Sequence, residues 1–168
     1  MKMRRSVTPI VVPLLAVALT GLAGWAGVSA TPVNAPITTL IPVSGTVSGQ
    51  PESVAFSGQA QISSELVLDP SRLNHPPAVI LIVDLSGVSG TGSSTRAKYV
   101  AGNDGTTVFR KLVSADTIEV TFPFSRGPAM MSTGMSSVHT GVASFALSFD
   151  LGTGAITSGT GSVAAPNF

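Results

Sequence analysis

The sequence predicts an all-β domain, an antiparallel β-sandwich of roughly eight strands. Apolar residues occupy every second position from Val54 to Ile62 and again from Ala143 to Phe149, which is the period of a half-buried strand. Only 10% of the residues are charged, whereas Val, Thr, Ser and Gly are abundant, and this composition favours strands and tight turns over helices. A closed β-barrel stays open as an alternative, in which the alternate apolar positions line a cavity instead of facing a second sheet.

Residues 1–30 have the layout of a secretory signal peptide. A basic start at residues 2–5 is followed by an uncharged apolar run at residues 10–19, and small residues at Val28 and Ala30 suit a signal peptidase. We therefore predict export by the general secretory route of a bacterium, with cleavage after Ala30, to the periplasm or the exterior. Membrane contact is then expected only through this segment before cleavage. The alternative is a retained anchor, because the apolar character continues over the roughly 20 residues that span a bilayer.

The rest of the chain has the size of one domain. Removal of the leader leaves 138 of the 168 residues, in which residues 31–42, with three prolines, are predicted to be an extended lead-in and residues 43–168 a single all-β domain. There is no cysteine, so the stability must come from packing and strand pairing. Six basic residues remain against eight acidic ones, and this slightly negative balance argues against nucleic-acid binding.

Several segments carry more specific expectations. Residues 78–85 are apolar on both faces, which predicts a central strand covered on both sides. Gly, Asn and Asp at residues 102–105 predict a hairpin turn that joins two neighbouring strands, and the Gly- and Ser-rich residues 87–95 predict a flexible loop. The strands are predicted over residues 43–49, 54–68, 78–85, 96–101, 107–113, 118–124, 143–150 and 155–164.

One group of side chains has the chemistry of a metal site. Thioether and imidazole groups are ligands that suit Cu(I), and part of the group recurs at intervals of four residues. The other interpretation, which we favour, is that the methionines pad an apolar loop, because Pro128 and Gly134 oppose the helix that would align them. The candidate ligands are Met130, Met131, Met135 and His139.

No pattern in the sequence indicates catalysis. It has no Gly-x-Ser-x-Gly elbow, no phosphate-binding loop and no cofactor motif, and a list of serines, aspartates, His75 and His139 has no value without geometry. Asp84 lies in an apolar strand, where we expect a structural ion pair with Arg96 or Lys98. Sugar binding is disfavoured because the sole tryptophan, Trp25, lies in the leader.

The sequence therefore favours a non-catalytic structural or interaction module, with an unknown protein or small-ligand partner and no cofactor. A carrier of a small apolar ligand is the second reading. An enclosed apolar pocket would favour the carrier, and a filled interior would favour the module.

The copper hypothesis is tested by titration of the purified protein with Cu(I) in a calorimeter. The padding interpretation predicts no stoichiometric binding, because thioethers that pack over the sandwich do not converge on one ion. Saturation at one equivalent would establish the metal site instead.

Overall fold

A computed structural model of the chain describes residues 31–32, 35–49, 51–68, 76–102, 105–127 and 138–166. It confirms the predicted all-β class, since 0% of the described residues are in helices and 71% are in strands. Within the described ranges, no helix is long and apolar enough to cross a membrane. The strands are β1 (Thr31–Pro32), β2 (Ile37–Val47), β3 (Val54–Leu68), β4 (Ala78–Asp84), β5 (Val88–Gly92), β6 (Lys98–Ala101), β7 (Thr106–Lys111), β8 (Ala115–Arg126), β9 (His139–Phe149) and β10 (Ile156–Ala164).

The sheet closes into a hydrogen-bonded ring. Its order is β2-β10-β9-β8-β6-β5-β3, and β3 pairs with β2 again, while β4 and β7 extend from β3. Phe56 of β3 packs edge-to-face against Phe122 and Phe124 of β8, with ring centroids 5.7 and 5.1 Å apart. Strands that are not neighbours in the ring therefore face each other across one shared interior, as in a two-layered packing. The pairing is antiparallel except for β2 and β10, which run parallel.

The longest strand, β3, belongs to both parts of the sheet. One of its edges pairs with β2 from Val54 to Ser64. On the other edge, its first half pairs with β5 and its second half with β4. Its alternation is the predicted one, since Val54, Phe56, Ala60 and Ile62 are all buried.

The expectation that β4 is covered on both faces is wrong. Val79, Leu81 and Val83 are buried, but Ile82, on the opposite face, is 41% exposed. The strand lies between β3 and β7, and nothing among the described residues covers its outer face. Strand β4 is therefore half-buried, and its outer face is apolar although it is exposed.

The expected loop at residues 87–95 contains strand β5 instead. Gly90 is an inward position of β5, and side chains of the neighbouring strand β3 fill the space that a side chain at Gly90 would occupy. A methyl group at Gly90 would lie 2.5 Å from Val54 Cγ1 and 2.9 Å from Phe56 Cε1. Glycine thus allows β5 to pack closely against β3, whereas the Gly- and Ser-rich composition of residues 87–95 had suggested a flexible loop.

The predicted hairpin at residues 102–105 is also corrected. The flanking strands are not partners, because β6 pairs with β5 and β8 whereas β7 pairs with β4. Asn103 and Asp104 lie outside the described residues. The hairpin between β9 and β10 is confirmed: the Asp150 N–H donates to the Ala155 carbonyl at 2.9 Å, and Gly154 has a φ of 71°.

The first long strand begins at Ile37, earlier than the predicted Val43. Residues 37–42 were expected in the extended lead-in, yet they pair with β3 residue by residue. Pro42 is exposed in the middle of this strand. Ile41, Val43 and Val47 are buried at alternate positions of this strand. The predicted strand begins only at Val43 because the three prolines of residues 31–42 oppose strand pairing.

The ring closes where the backbones of β2 and β10 come very close together. Gly45 is paired with Val163 in the parallel ladder. A side chain at this position would overlap the carbonyl oxygen of Val163, which is backbone and cannot rotate away. Glycine is therefore required at this point of closure.

Gly45→Ala is predicted to lower the free energy of unfolding by about 1–3 kcal/mol or more, because the added methyl group forces β2 and β10 apart. Chemical denaturation followed by circular dichroism measures the change. Gly49→Ala is the matched control, since a methyl group at Gly49 meets no atom within 4 Å. Equal stability of the two variants would contradict this account of the closure.

Candidate functional site

At one end of the interior, the inward positions change from apolar to polar. Glu52 precedes Val54 by two residues, Arg126 follows Phe124 by two, and His139 begins β9. Successive side chains of an extended chain alternate, so residues two apart share a face. These three residues and Tyr99 of β6 form a group that we call the polar end: Glu52, Tyr99, Arg126 and His139.

The carboxylate of Glu52 is the centre of the polar end. Its Oε2 accepts hydrogen bonds from the backbone N–H groups of Ser94 and Thr95, both at 2.9 Å. Its Oε1 accepts from the Thr95 hydroxyl at 2.5 Å, from the Tyr99 hydroxyl at 3.0 Å and from Arg126 Nη2 at 3.2 Å. The side chain of Glu52 is only 2% exposed. A buried carboxylate is costly unless it is paired and hydrogen-bonded, and this one is both.

Arg126 completes the group from the end of β8. Its Nε donates to the Tyr99 hydroxyl oxygen at 3.1 Å, and its guanidinium carbon lies 5.8 Å from the centre of the Tyr99 ring. The side chain of Arg126 is 31% exposed, so it compensates the charge of Glu52 from the solvent side. Glu52, Tyr99 and Arg126 therefore connect the segment before β3, strand β6 and the end of β8.

These contacts set the protonation state of the carboxylate. The hydrogen bonds from Thr95, followed by those from Ser94 and Tyr99, lower the pKa of Glu52 to about 2 from an ordinary value of 4.5. The hydrogen bond to Tyr99 and the charge of Glu52 raise the pKa of Arg126. A carboxylate with so low a pKa is a weak base, and its oxygens are occupied by five donors, so the group is poorly suited to proton transfer.

The turn between β5 and β6 is wrapped around this carboxylate. Gly92 leaves room for the carboxylate, because a side chain there would overlap Glu52. Thr95 both donates to Glu52 and accepts the Ala97 N–H at 3.2 Å. The next residue, Arg96, has a φ of 57°, which is uncommon for a residue other than glycine. The turn is therefore held both by its contacts to Glu52 and by its own backbone, where the Arg96 N–H donates to the Gly92 carbonyl at 3.2 Å.

A cleft of about 280 Å³ opens beside the polar end. His139 lies in it with its ring stacked on Phe124, at a centroid distance of 5.5 Å and an interplanar angle of 30°. The described residues around the cleft come from the ends of β2, β3, β8, β9 and β10 and from β6. They are Val47, Ser48, Gly49, Pro51, Glu52, Val54, Tyr99, Phe124, His139, Thr140, Ala165 and Pro166.

Of the predicted copper ligands, the structure places only His139. Met130, Met131 and Met135 lie outside the described residues. Within the described ranges, no three His, Asp or Glu side chains are grouped so that they could hold a metal ion. The copper hypothesis stays a prediction.

Three aspartates of the described residues take part in turn hydrogen bonds or in an ion pair. Asp84 accepts the Ser86 N–H at 2.7 Å, and its strand adjoins β3 and β7 rather than the β6 strand that carries Lys98. Asp116 forms an ion pair with Arg110, in which Asp116 Oδ2 lies 3.7 Å from Arg110 Nε. Asp150 accepts hydrogen bonds from the Thr153 hydroxyl and from the Thr153 and Gly152 N–H groups in the hairpin turn, and these hydrogen bonds lower its pKa.

Sequence reasoning missed Glu52, although a signal for it was present. Continuing the inward series of β3 backwards from Phe56 and Val54 reaches Glu52, and continuing that of β8 forwards from Phe124 reaches Arg126. An acid and a base at inward positions on strand ends predict a buried pair. Only the ring order, which brings the start of β3 and the end of β8 together through β5 and β6, could identify them as partners.

Comparison with protein-family models, with curated proteins and with solved structures finds no match for this chain.

The stability of the domain is predicted to depend on Glu52 at acid pH. Because the folded-state pKa of Glu52 lies below its ordinary value, its contribution is complete above about pH 4.5 and is lost as the pH falls towards 2. Chemical denaturation of the wild type should show this loss, and Glu52→Gln should be less stable at pH 7 with a flatter profile between about pH 2 and 5.

The matched control is Glu119→Gln, which changes an exposed acid of β8. It should keep the wild-type pH profile. Parallel profiles for the wild type and Glu52→Gln would show that the Glu52 contacts do not stabilise the ionised carboxylate.

Proposed function

We propose that this chain is exported, cleaved after Ala30, and acts outside the cytoplasm as a non-catalytic interaction module. The observation that carries the proposal is the exposed edge strand β7 on a domain whose interior is filled. The sequence features of residues 1–30 support export. Residues 1–30 lie outside the described residues, so the export proposal rests on their sequence.

The filled interior favours an interaction module over a carrier with an internal cavity. A methyl group at Gly161 would lie 2.8 Å from both Phe145 Cε1 and Val43 Cγ2. A methyl group at Gly159 would lie 2.8 Å from Leu147 Cδ2. Space that does not accept one additional carbon atom at these positions does not accept an apolar ligand there.

The state of the buried acid supports a non-catalytic role. The oxygens of Glu52 are occupied by five donors from four residues. Catalytic acids and bases usually have a pKa near the working pH, whereas the pKa of Glu52 is about 2. Its arrangement is that of a structural clamp on the β5–β6 turn.

Strand β7 offers the surface for a partner. Among the described strands it pairs only with β4, so its other edge presents unpaired backbone groups. Phe109 is 65% exposed on its outer face, directly opposite Ile80 and near the exposed Ile82. An exposed edge beside apolar side chains accepts an extended peptide as an additional strand.

Charge indicates which peptide fits. Arg110 and Lys111 both lie on β7 and are exposed. Basic side chains on an edge oppose pairing between two copies of the same strand, because like charges meet. Lys111 lies on the same face as Phe109 and attracts a segment of opposite charge, whereas Arg110 already lies 3.7 Å from Asp116. We therefore assign to β7 an extended, acidic segment of another protein, whose apolar side chains lie beside Phe109.

A photo-reactive phenylalanine analogue at position 109 is predicted to cross-link to such a segment in the secreting cell, because the partner strand lies beside this side chain. Mass spectrometry identifies the attached peptide. The same analogue at Leu151, which is 57% exposed in the β9–β10 turn, is the matched control and should give no such product.

Hydrogen exchange of the isolated complex provides the second readout. Backbone amides of β7 should become protected in the complex, since strand addition forms new hydrogen bonds along this edge. Equal cross-linking at both positions, or protection confined to another part of the domain, would contradict the assignment of β7.

The export proposal predicts that the protein recovered outside the cytoplasm begins at Thr31, since cleavage after Ala30 removes the leader. The intact mass and N-terminal sequencing measure this. Recovery of the protein in the membrane fraction with residues 1–30 attached would instead establish an anchor.

A further inference from the structure

The backbone of β7 presents its free hydrogen-bonding groups at alternate residues only. Leu112, directly after the strand, donates its N–H to the Pro77 carbonyl at 2.8 Å, and this pair continues the antiparallel register between β4 and β7. Hydrogen-bonded and non-hydrogen-bonded pairs alternate along an antiparallel ladder. The backbone groups of Val108 and Arg110 therefore point towards β4, and those of the residues that alternate with them point away from it.

Thr107, Phe109 and Lys111 are the residues whose N–H and C=O groups face the free edge. Each of them offers one donor and one acceptor, and among the described strands β7 pairs only with β4. Their side chains lie on the outer face of the sheet, since Phe109 is exposed and residues two apart share a face. An added strand therefore makes its backbone contacts at the same residues that present the Phe109 ring and the Lys111 ammonium group.

The inner face of β7 lies at the border of the core. Val108 packs against the core but is itself only partly buried, and it lies opposite the fully buried Leu81. The next inward residue, Arg110, forms its ion pair with Asp116 of β8. An apolar side chain on an added strand would cover Val108 and extend the interior by one position, and burial of its apolar surface would stabilise the complex.

An antiparallel strand uses the outward groups of β7 in pairs. The residue opposite Phe109 accepts the Phe109 N–H and donates to the Phe109 C=O, and the residues opposite Thr107 and Lys111 do the same for these two. Parallel pairing gives slanted hydrogen bonds and is slightly less stable per residue. The residue opposite Val108 directs its own N–H away from β7, and its side chain lies close to Val108 because this pair is not hydrogen-bonded.

We propose that β7 selects an antiparallel strand in one register, in which an acid faces Lys111, a β-branched residue faces Phe109 and an aliphatic residue faces Val108. This inference rests on the proposed strand addition at β7 and names the sequence that the edge recognises. In the partner's own direction, the pattern is acid, any residue, β-branched residue, aliphatic residue. Cross-strand pairs of opposite charge, and of an aromatic with a β-branched side chain, stabilise sheets.

The test uses the synthetic peptide Gly-Ser-Glu-Thr-Ile-Val-Thr-Ser-Gly, blocked at both ends, as the probe in an NMR titration of the folded protein. Its Glu, Ile and Val are placed to face Lys111, Phe109 and Val108. Saturable shifts are expected for the amides of β7. Hydrogen exchange should slow at Thr107, Phe109 and Lys111. It should not change at Val108 and Arg110, whose amides already bond to β4.

Backbone methylation of the peptide tests the register. A methyl group on the nitrogen of its Ile removes the hydrogen bond to the Phe109 carbonyl and places a carbon atom against it, so binding should weaken at least about tenfold. The same group on the nitrogen of its Val is the matched control and should leave the affinity unchanged, because this N–H points away from β7. Equal effects of the two methyl groups would overturn the register, although binding at β7 would stand.

A charge exchange tests the acidic position. Lys111→Glu should weaken binding of the probe about twofold to fivefold, and a peptide with Lys in place of its Glu should restore it. Lys98→Glu, at an exposed position of β6, is the matched control and should change neither affinity. Equal binding of both peptides to Lys111→Glu, or no saturable shift with the probe, would overturn the pattern. Loss of the cross-link at position 109 in the cell would instead remove the proposed strand addition.

Discussion

The parallel contact between β2 and β10 is the constraint on which the rest of the structure depends. Without it, β2 and β10 would be open edges of a long curved sheet, and the inward side chains would face water on one side. The contact joins an early and a late segment of the chain, from Val43 to Gly45 and from Gly161 to Val163. Closure turns alternate apolar positions into one shared interior, where burial of these side chains is the main stabilising term.

The two ends of the interior differ in the strands that form them and in their side chains. At one end, β5 and β6 connect β3 to β8, and the polar end with its cleft lies there. Beyond these short strands, β3 pairs with β4, and β7 forms an exposed edge. The hydrogen bonds around Glu52 join three segments of the chain at the first end, whereas β7 pairs with no described strand other than β4.

Local periodicity predicted the all-β class and the faces of β3 and β9, because alternation is a property of neighbouring residues. Local periodicity did not predict features that depend on contacts with residues distant in the sequence. Gly90 is in a strand because Phe56 and Val54 fill the space beside it, and Ile82 is exposed because no layer formed by the described residues covers β4. Glu52 and Arg126 stood at inward positions that the sequence displayed, but their partnership followed only from the order of strands around the ring.

The central claim, that the ring is closed through β2 and β10, is tested most directly by amide hydrogen exchange of the folded protein. The account predicts that the ladder amides between Val43 and Gly45 and between Gly161 and Val163 exchange only on global unfolding. Amides on the free edge of β7 should exchange much faster. Rapid exchange throughout the β2–β10 ladder, at the rate of the β7 edge, would show that the sheet is open and would contradict the account.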